Sequence, residues 1–410
     1  MTQSSRHVTN GRITAEDVEK MRQRIGYAIP YRFLHNTVAS ADSIRHFSEG
    51  IGDDNPLFTD PDYGRTTRWR AQIAPPMYFQ TMGDDVSPAM PDEVRRATSG
   101  ALRGVHQFYS GGEWKFFQPI YPGDRLEMKA IMTDIEEKNS TFGGGKSVLT
   151  HNEMTYTNNR GATTAWEHHW FVHTERDTAA KAGVLKTVEP AQYTDDDLAA
   201  IDDAYANEFV RGADTLFWED AVVGDELPGV VKGPLTVTDL ISMHIGWGWG
   251  GYAVGALKLG YKNRKRIPAF YQKNDNGAWD VVQRLHWDPS FGPRVGVPMM
   301  YDYGYMRMCW LQHALTNFAG DDGWLYAMRA EIRKFNYMGD TTWVKGSILD
   351  KRVDPELGPL VDLSVNCVNQ RGETTVFGTA TVLLASREHG PVRLPEAPLG
   401  LGEPRSYLTD

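Results

Sequence analysis

Two stretches of the chain alternate polar and apolar residues after closely similar preambles. Phe116-Phe117-Gln118-Pro119-Ile120-Tyr121-Pro122-Gly123-Asp124 leads into Arg-Leu-Glu-Met-Lys-Ala-Ile-Met. Ile332-Arg333-Lys334-Phe335-Asn336-Tyr337-Met338-Gly339-Asp340 leads into Thr-Thr-Trp-Val-Lys-Gly-Ser-Ile. Period-two alternation predicts strands with one face on a core. Farther on, each half has a second alternating segment broken by Asn159-Arg160-Gly161 or Gln370-Arg371-Gly372, turn residues suited to reversing a strand. The Gly-Asp pairs lie 216 positions apart and the Arg-Gly pairs 211, so order and spacing together predict an internal duplication. A helical stretch precedes each strand-rich block. In the first half Ala41–Gly50 has apolar residues at helical spacing, and Pro75-Pro76 opens a further helix at MYFQTMGDD, proline being tolerated in a first turn. In the second, Tyr305–Phe318 puts Met308, Leu311, Leu315 and Phe318 on one face, with Gly320 as a stop. Helix first and antiparallel strands after, in both halves, is the α+β pattern.

At 410 residues the chain suits two domains rather than one core. The expected division is an N-terminal extension over 1–30, a first domain over 31–180, a linker over 181–215, a second domain over 216–390 and a C-terminal tail over 391–410. The linker follows from Glu175–Asp214, rich in Ala and Asp, in which Thr194–Asp203 reads as a solvated helix start. Lysine and arginine total 43 against 53 acidic residues, a formal net charge of −10. That balance argues against a nucleic-acid partner, whose phosphates need clustered cations. No apolar run approaches the roughly 18–20 residues that span a bilayer, and the first twenty residues show no apolar signal region. Cys309 and Cys367 alone give neither a disulfide framework nor a zinc site. A cytoplasmic protein that binds no membrane and no metal is expected.

The strongest local motif is Gly52-Asp53-Asp54-Asn55-Pro56-Leu57-Phe58-Thr59-Asp60. It resembles the Gly-Asp-x-Asn-Pro-x-His-x-Asp signature of MaoC-like hydratases and dehydratases, proteins of the hot-dog fold, at every fixed position but one: Phe58 replaces the histidine. The resemblance extends through FFQPIYPGDRL and the long strands, over most of residues 30–175. It implies a tandem (double) hot-dog fold, each half a central helix wrapped by an antiparallel sheet. It also implies a chemistry. Adding water to a double bond conjugated to a thioester needs a base for the water, a proton for the α-carbon and donors for the enolate oxygen. In the family an aspartate and a histidine handle the water and the proton, and an amide at the start of the central helix holds the oxygen. Phe58 can move no proton. Eighteen residues after it, where the family has the glycine of that amide, stands Pro76, which has no N–H.

The second half offers the missing pieces. Leu285-His286-Trp287-Asp288-Pro289 resembles the family's x-His-x-Asp-Pro, Gly296-Val297-Pro298 follows ten residues after the histidine, and Gly304 stands eighteen after it. The resemblance implies His286 as proton carrier and the Gly304 amide as oxyanion donor. No Asp-x-Asn-Pro precedes His286. Asp280, an even six residues back, is the preferred acidic partner, with Asp275 in the insertion between His244 and Asp280 as another; Asp288 is a turn residue, a proton carrier or a substrate contact. Within that insertion, Trp247 and Trp249 in a glycine-rich run, with Tyr303 beyond it, are candidate contacts for a bulky or cyclic acyl group. Lys262, Arg264 and Arg266 are candidate contacts for the phosphates of coenzyme A, which would enter only as part of the substrate. No cofactor is otherwise expected. The expected activity is that of a hydro-lyase of lipid metabolism, an enoyl-CoA hydratase or 3-hydroxyacyl-CoA dehydratase, working as a homodimer or in a hetero-oligomer. The alternatives are an acyl-CoA thioesterase of the same fold and a non-catalytic acyl-binding subunit.

Overall fold

A computed structural model describes residues 11–28, 34–140, 145–175, 188–249, 254–292, 297–398 and 401. The end of the expected first domain and the start of the expected linker (176–187), the end of the glycine–tryptophan run (250–253) and Gly296 lie outside them. The two Gly-Asp turns are built alike, atom for atom. Asp124 accepts from the Tyr121 amide at 3.0 Å and takes both guanidinium nitrogens of Arg160, Nη2 at 3.1 Å. Asp340 accepts from the Tyr337 amide at 3.0 Å and takes both nitrogens of Arg371 at 2.7 Å. The Asn158 side chain receives the amides of Arg160 and Ala162, and Asn369 receives those of Arg371 and Glu373. A carboxylate as buried as these needs a bidentate partner, and the same solution twice over is the structural form of the duplication.

Ten of the strands form a single sheet. In spatial order it runs Asp84–Asp85, Leu126–Ser140, Gly145–Asn158, Thr163–Thr174, His106–Phe116, then Trp324–Ile332, Thr374–Leu383, Gly358–Asn369, Thr342–Asp354 and Val230–Lys232. All neighbours are antiparallel except the first pair. The halves meet edge to edge where His106–Phe116 pairs with Trp324–Ile332, from Gly111 opposite Glu331 to Lys115 opposite Ala327. Trp324 Nε1 donates to Phe116 O across this seam at 2.8 Å, and Arg329 pairs with Glu113. This is the double hot-dog architecture, with a long helix, Gly304–Ala319, against the sheet.

Two expectations change. The central helix is not one-sided: every residue from Tyr305 to Ala319 is buried, including Arg307, Gln312, His313 and Asn317. And the first half has no long central helix. The stretch after Pro75 is a six-residue 3₁₀ helix, Pro76–Thr81. Tyr305 of the second half donates its hydroxyl to Met77 O, an acceptor that a continuing α-helix would use for its own ladder. Phe58 packs in the core, 2% exposed.

The helix Ala41–Gly50 forms where the spacing predicts, with Ser40 and Ser43 capping each other. Its counterpart is Val237–Trp247, capped by Thr236 and Asp239. The two cross at glycines. A Cβ on Gly246 would stand 2.4 Å from Phe47 Cα, and one on Gly50 2.7 Å from Ser242 O, so only glycine allows this approach. The crossing fixes the end of the second helix, and with it His244 and Trp247, relative to the core. No helix among the described residues is long and apolar enough to cross a membrane.

Candidate active site

His286 ends a short 3₁₀ helix, Val282–His286. Its ring is buried and tied to the strap that leads into the central helix. Nδ1 lies 2.7 Å from Tyr301 O. A carbonyl can only accept, so Nδ1 carries the proton and Nε2 keeps its lone pair. Tyr303 lies 4.0 Å from the ring centroid and Tyr301 4.8 Å. Burial pulls the imidazole down to about 4, against the backbone contacts that favour its charge, so at neutral pH the ring is an uncharged base.

The strap ends at Gly304, the first residue of the central helix. Neither neighbouring side chain caps this end, and among the described residues the Gly304 N–H donates to no protein atom. The uncapped start of a sixteen-residue helix presents bare N–H groups and the positive end of the dipole. A Cβ here would fall 2.7 Å from Ile332 Cδ1 and 2.8 Å from Tyr109 Cδ1. Just before it, Asp302 is fully buried, 3.1 Å from Arg307 Nε and accepting from Asn336 Nδ2 at 3.2 Å. Burial lifts its carboxyl to about 7 against the pull of Arg307. Asp302 thereby anchors the strap that carries both His286's acceptor and Gly304.

An aromatic cluster surrounds this point. Trp247 stacks on Tyr305 at 5.0 Å and meets Tyr303 at 5.5 Å, while Trp249, 37% exposed, meets Trp287 at 5.9 Å. His244 lies between them, stacked 4.1 Å from Trp249 and edge-on to Tyr303 at 4.9 Å. Among the described residues, His244 Nε2 and Trp247 Nε1 are buried without hydrogen-bond partners. Bare polar atoms of this kind mark sites that a ligand or water completes. The first half contributes Met77 and Tyr109, and through Tyr305 also Glu167, a buried carboxylate held by Gln80 at 2.7 Å.

The structure brings His286, Gly304, Tyr303, Trp247 and Trp249 together. It places the expected acids elsewhere. Asp280 sits in a hairpin of Tyr271–Lys273 and Trp279–Val281, its Oδ1 accepting from the Val281 amide at 2.7 Å. The groups acting on His286 are His244 and the backbone of Tyr301 and Asp302, with no carboxylate among them. Asp275 lies in the turn of the same hairpin. Asp288 pairs with Arg284 Nε at 3.1 Å and accepts from Ser290, a turn-holding role. Arg284 also donates to Gln272 O and Lys273 O, which moors the hairpin to the helix bearing His286. Lys262, Arg264 and Arg266 lie on the helix Lys258–Arg266, none of whose residues is buried, with Arg264 over the Trp279 ring at 4.7 Å.

Asp53, the first-half match to the family's aspartate, is engaged in the interior. It lies 3.5 Å from His313 Nε2, which is 3.1 Å from Glu208, while Lys232 Nζ donates to Ile51 O and Gly52 O and lies 2.7 Å from His313 Nδ1. His313 is nine residues along the helix from Gly304, roughly 13 Å of axial rise. Asp53 therefore belongs to a buried network joining the halves. His244 and Asp302 escaped the sequence reading because neither belongs to a motif. The only local signal for His244 was its helical spacing from Trp247.

Three comparisons bear on this arrangement. Residues 23–165 match the family model described as FAS1-like, dehydratase domain region. A curated relative from Thermomonospora curvata, named "Probable enoyl-CoA hydratase alpha subunit", is 26% identical over 167 residues, 38% of this chain and 52% of that one. The chain thus spans about half the length of that relative. A UPF0336 protein of Thermobifida fusca is 28% identical over 127 residues, covering 30% of this chain and 72% of its own. Among solved structures, a MaoC-like dehydratase aligns over 88% of this chain and 99% of its own, with a TM-score of 0.56 at 18% identity. A MaoC domain protein dehydratase from Chloroflexus aurantiacus aligns over 90% and 95%, with a TM-score of 0.52 at 12% identity.

Proposed function

We propose that the chain is a MaoC-like hydratase or dehydratase that adds water to, or removes water from, an α,β-unsaturated acyl thioester. The observation that carries this reading is the pairing of a neutral imidazole, His286, with a helix start at Gly304 whose amide is unengaged among the described residues. In the hydration direction the thioester oxygen accepts from the Gly304 N–H. His286 Nε2 takes a proton from water as its oxygen bonds to the β-carbon, and the electron pair of the double bond moves toward the thioester. The imidazolium then returns the proton to the α-carbon. The amide is worth most where charge develops, on the oxygen of the enolate.

Trp247, Trp249, Tyr303 and Tyr305 suit a large or cyclic acyl group. Lys262 and Arg264, which have no carboxylate partner among the described residues, suit the phosphates of coenzyme A. The reading is of an enoyl-CoA hydratase of lipid metabolism in the cytoplasm, working as a homodimer or beside a second chain, as the word "subunit" in the Thermomonospora name indicates for that relative. The test is turnover of trans-2-enoyl-CoA thioesters of increasing length with product analysis. The expected product is the 3-hydroxyacyl thioester, and free coenzyme A would point instead to a thioesterase. Replacing the proton carrier should cost roughly 10²–10⁴ in rate; His286→Ala retaining activity within tenfold of the parent would overturn the assignment.

A further inference from the structure

The site as built has a proton acceptor and an oxyanion donor, but the second group that would hold the water is not the expected aspartate. We infer that His244 is that group, a second catalytic imidazole facing the same water as His286. The inference rests on the hydratase reading and deepens it.

Three observations carry it. The first is the tautomer. His244 Nδ1 is hydrogen-bonded to Gly248 O, and as with His286 and Tyr301 a carbonyl partner requires the N–H to sit on Nδ1. Both rings therefore present Nε2 as a lone pair. The second is the bare atom: His244 Nε2 is buried and has no hydrogen-bond partner among the described residues. A buried acceptor left unsatisfied is destabilising, and a bound water removes that penalty. The third is placement. Tyr303 lies beside both imidazoles, 4.9 Å from one ring centroid and 4.0 Å from the other, and His244 is near enough for its charge to disfavour protonation of His286. Trp249 and Trp247 on its flat faces and the glycine crossing behind its helix hold the ring still.

A water molecule has two O–H bonds to give and two lone pairs to attack with. Donating one O–H to each Nε2 leaves a lone pair directed at the β-carbon. As the carbon–oxygen bond forms, the proton on the His286 side transfers to that ring and is delivered to the α-carbon. The O–H held by His244 stays intact as the new hydroxyl. Two neutral acceptors replace the family's imidazole and carboxylate.

The test is His244→Phe, which keeps a flat ring against Trp249 but has no acceptor, beside His244→Gln, which restores a carbonyl acceptor. Turnover of trans-2-enoyl-CoA should fall about 100-fold in kcat for His244→Phe, with KM within threefold, and recover in part for His244→Gln. A His244→Phe enzyme within threefold of wild-type kcat would remove His244 while leaving the hydratase reading intact. A wild-type chain that hydrates no enoyl thioester would instead remove the reading and the inference with it. Should the phenylalanine variant not fold, nitrogen NMR of histidine-labelled wild-type protein decides. The expected result is both rings as Nδ1–H tautomers, with both Nε2 resonances moving on addition of a 3-hydroxyacyl-CoA. An unmoved His244 signal, or an Nε2–H tautomer there, would overturn the proposal.

Discussion

Gly304 shows how much can rest on one missing carbon. Its side is closed by Ile332 Cδ1 and Tyr109 Cδ1, each under 3 Å from where a Cβ would stand, so even alanine must displace the helix start or its neighbours. Overpacking of this kind costs about 1–3 kcal/mol of stability. The displaced amide costs more in function, because a donor must lie within roughly 2.7–3.1 Å of the oxyanion to stabilise it. Gly304→Ala is expected to lower kcat by about 10²-fold or more while the protein remains folded, measured by thioester hydration alongside thermal unfolding. Activity within threefold of wild type would show that this amide does not bind the reacting oxygen. His286 and Gly304 could be nominated from the sequence because a motif fixes their separation. His244 could not, since its role depends on a helix crossing made by Gly50 and Gly246, and nothing in local spacing announces a contact between distant glycines. The premise that favoured Asp280 does not hold for a related reason: an even separation says which side a residue faces only within an extended segment, and the chain before His286 is a hairpin and a 3₁₀ turn.

Among the elements, the two buried turns make the clearest comparison. Asp340 is 1% exposed and receives both guanidinium nitrogens of Arg371. Removing the cation leaves an uncompensated buried carboxylate, a loss of roughly 2–4 kcal/mol. Arg371→Ala should lower the denaturant midpoint accordingly, and Arg371→Lys should restore only part, since an ammonium cannot form the fork. A change below about 0.5 kcal/mol in chemical denaturation would mean that the pair does not hold the turn. These turns could be read from the chain because the same residue types recur in the same order in both halves. The first-half helix could not. Pro75-Pro76 has the chemistry of a helix start, yet the residues after it are buried on nearly all sides and Tyr305, far away in sequence, occupies Met77 O. The seam between His106–Phe116 and Trp324–Ile332 was equally hidden, because alternation predicts a strand's faces and not its neighbour.

For the molecule as a whole, buried histidines set the response to acid. His173, His244 and His286 are each held at about 4 by burial, whereas an unfolded chain titrates near 6.5. Below that value the unfolded state binds protons that the native state refuses, so stability falls as pH drops from about 6.5 toward 4, by on the order of 1–3 kcal/mol per group. Asp302, raised to about 7, acts in the opposite sense: its contribution is full below the unfolded carboxylate range and fades as pH rises through 7. Three groups against one predict a net loss. The melting temperature should decline from pH 7 to pH 5, with a shallower slope in His173→Gln; a flat or rising profile in the parent would contradict it.

The edge-to-edge seam has an evolutionary consequence. It is the contact by which two separate half-length polypeptides would pair, each offering the same strand to its mate across a two-fold axis. In such a symmetric pair every replacement occurs twice, so losing one reactive imidazole means losing both. Fusion into a single gene lifts that constraint. If His286 and Gly304 carry the chemistry as proposed, Phe58 and Pro76 in the first half leave that chemistry intact and free that half to hold the other in place.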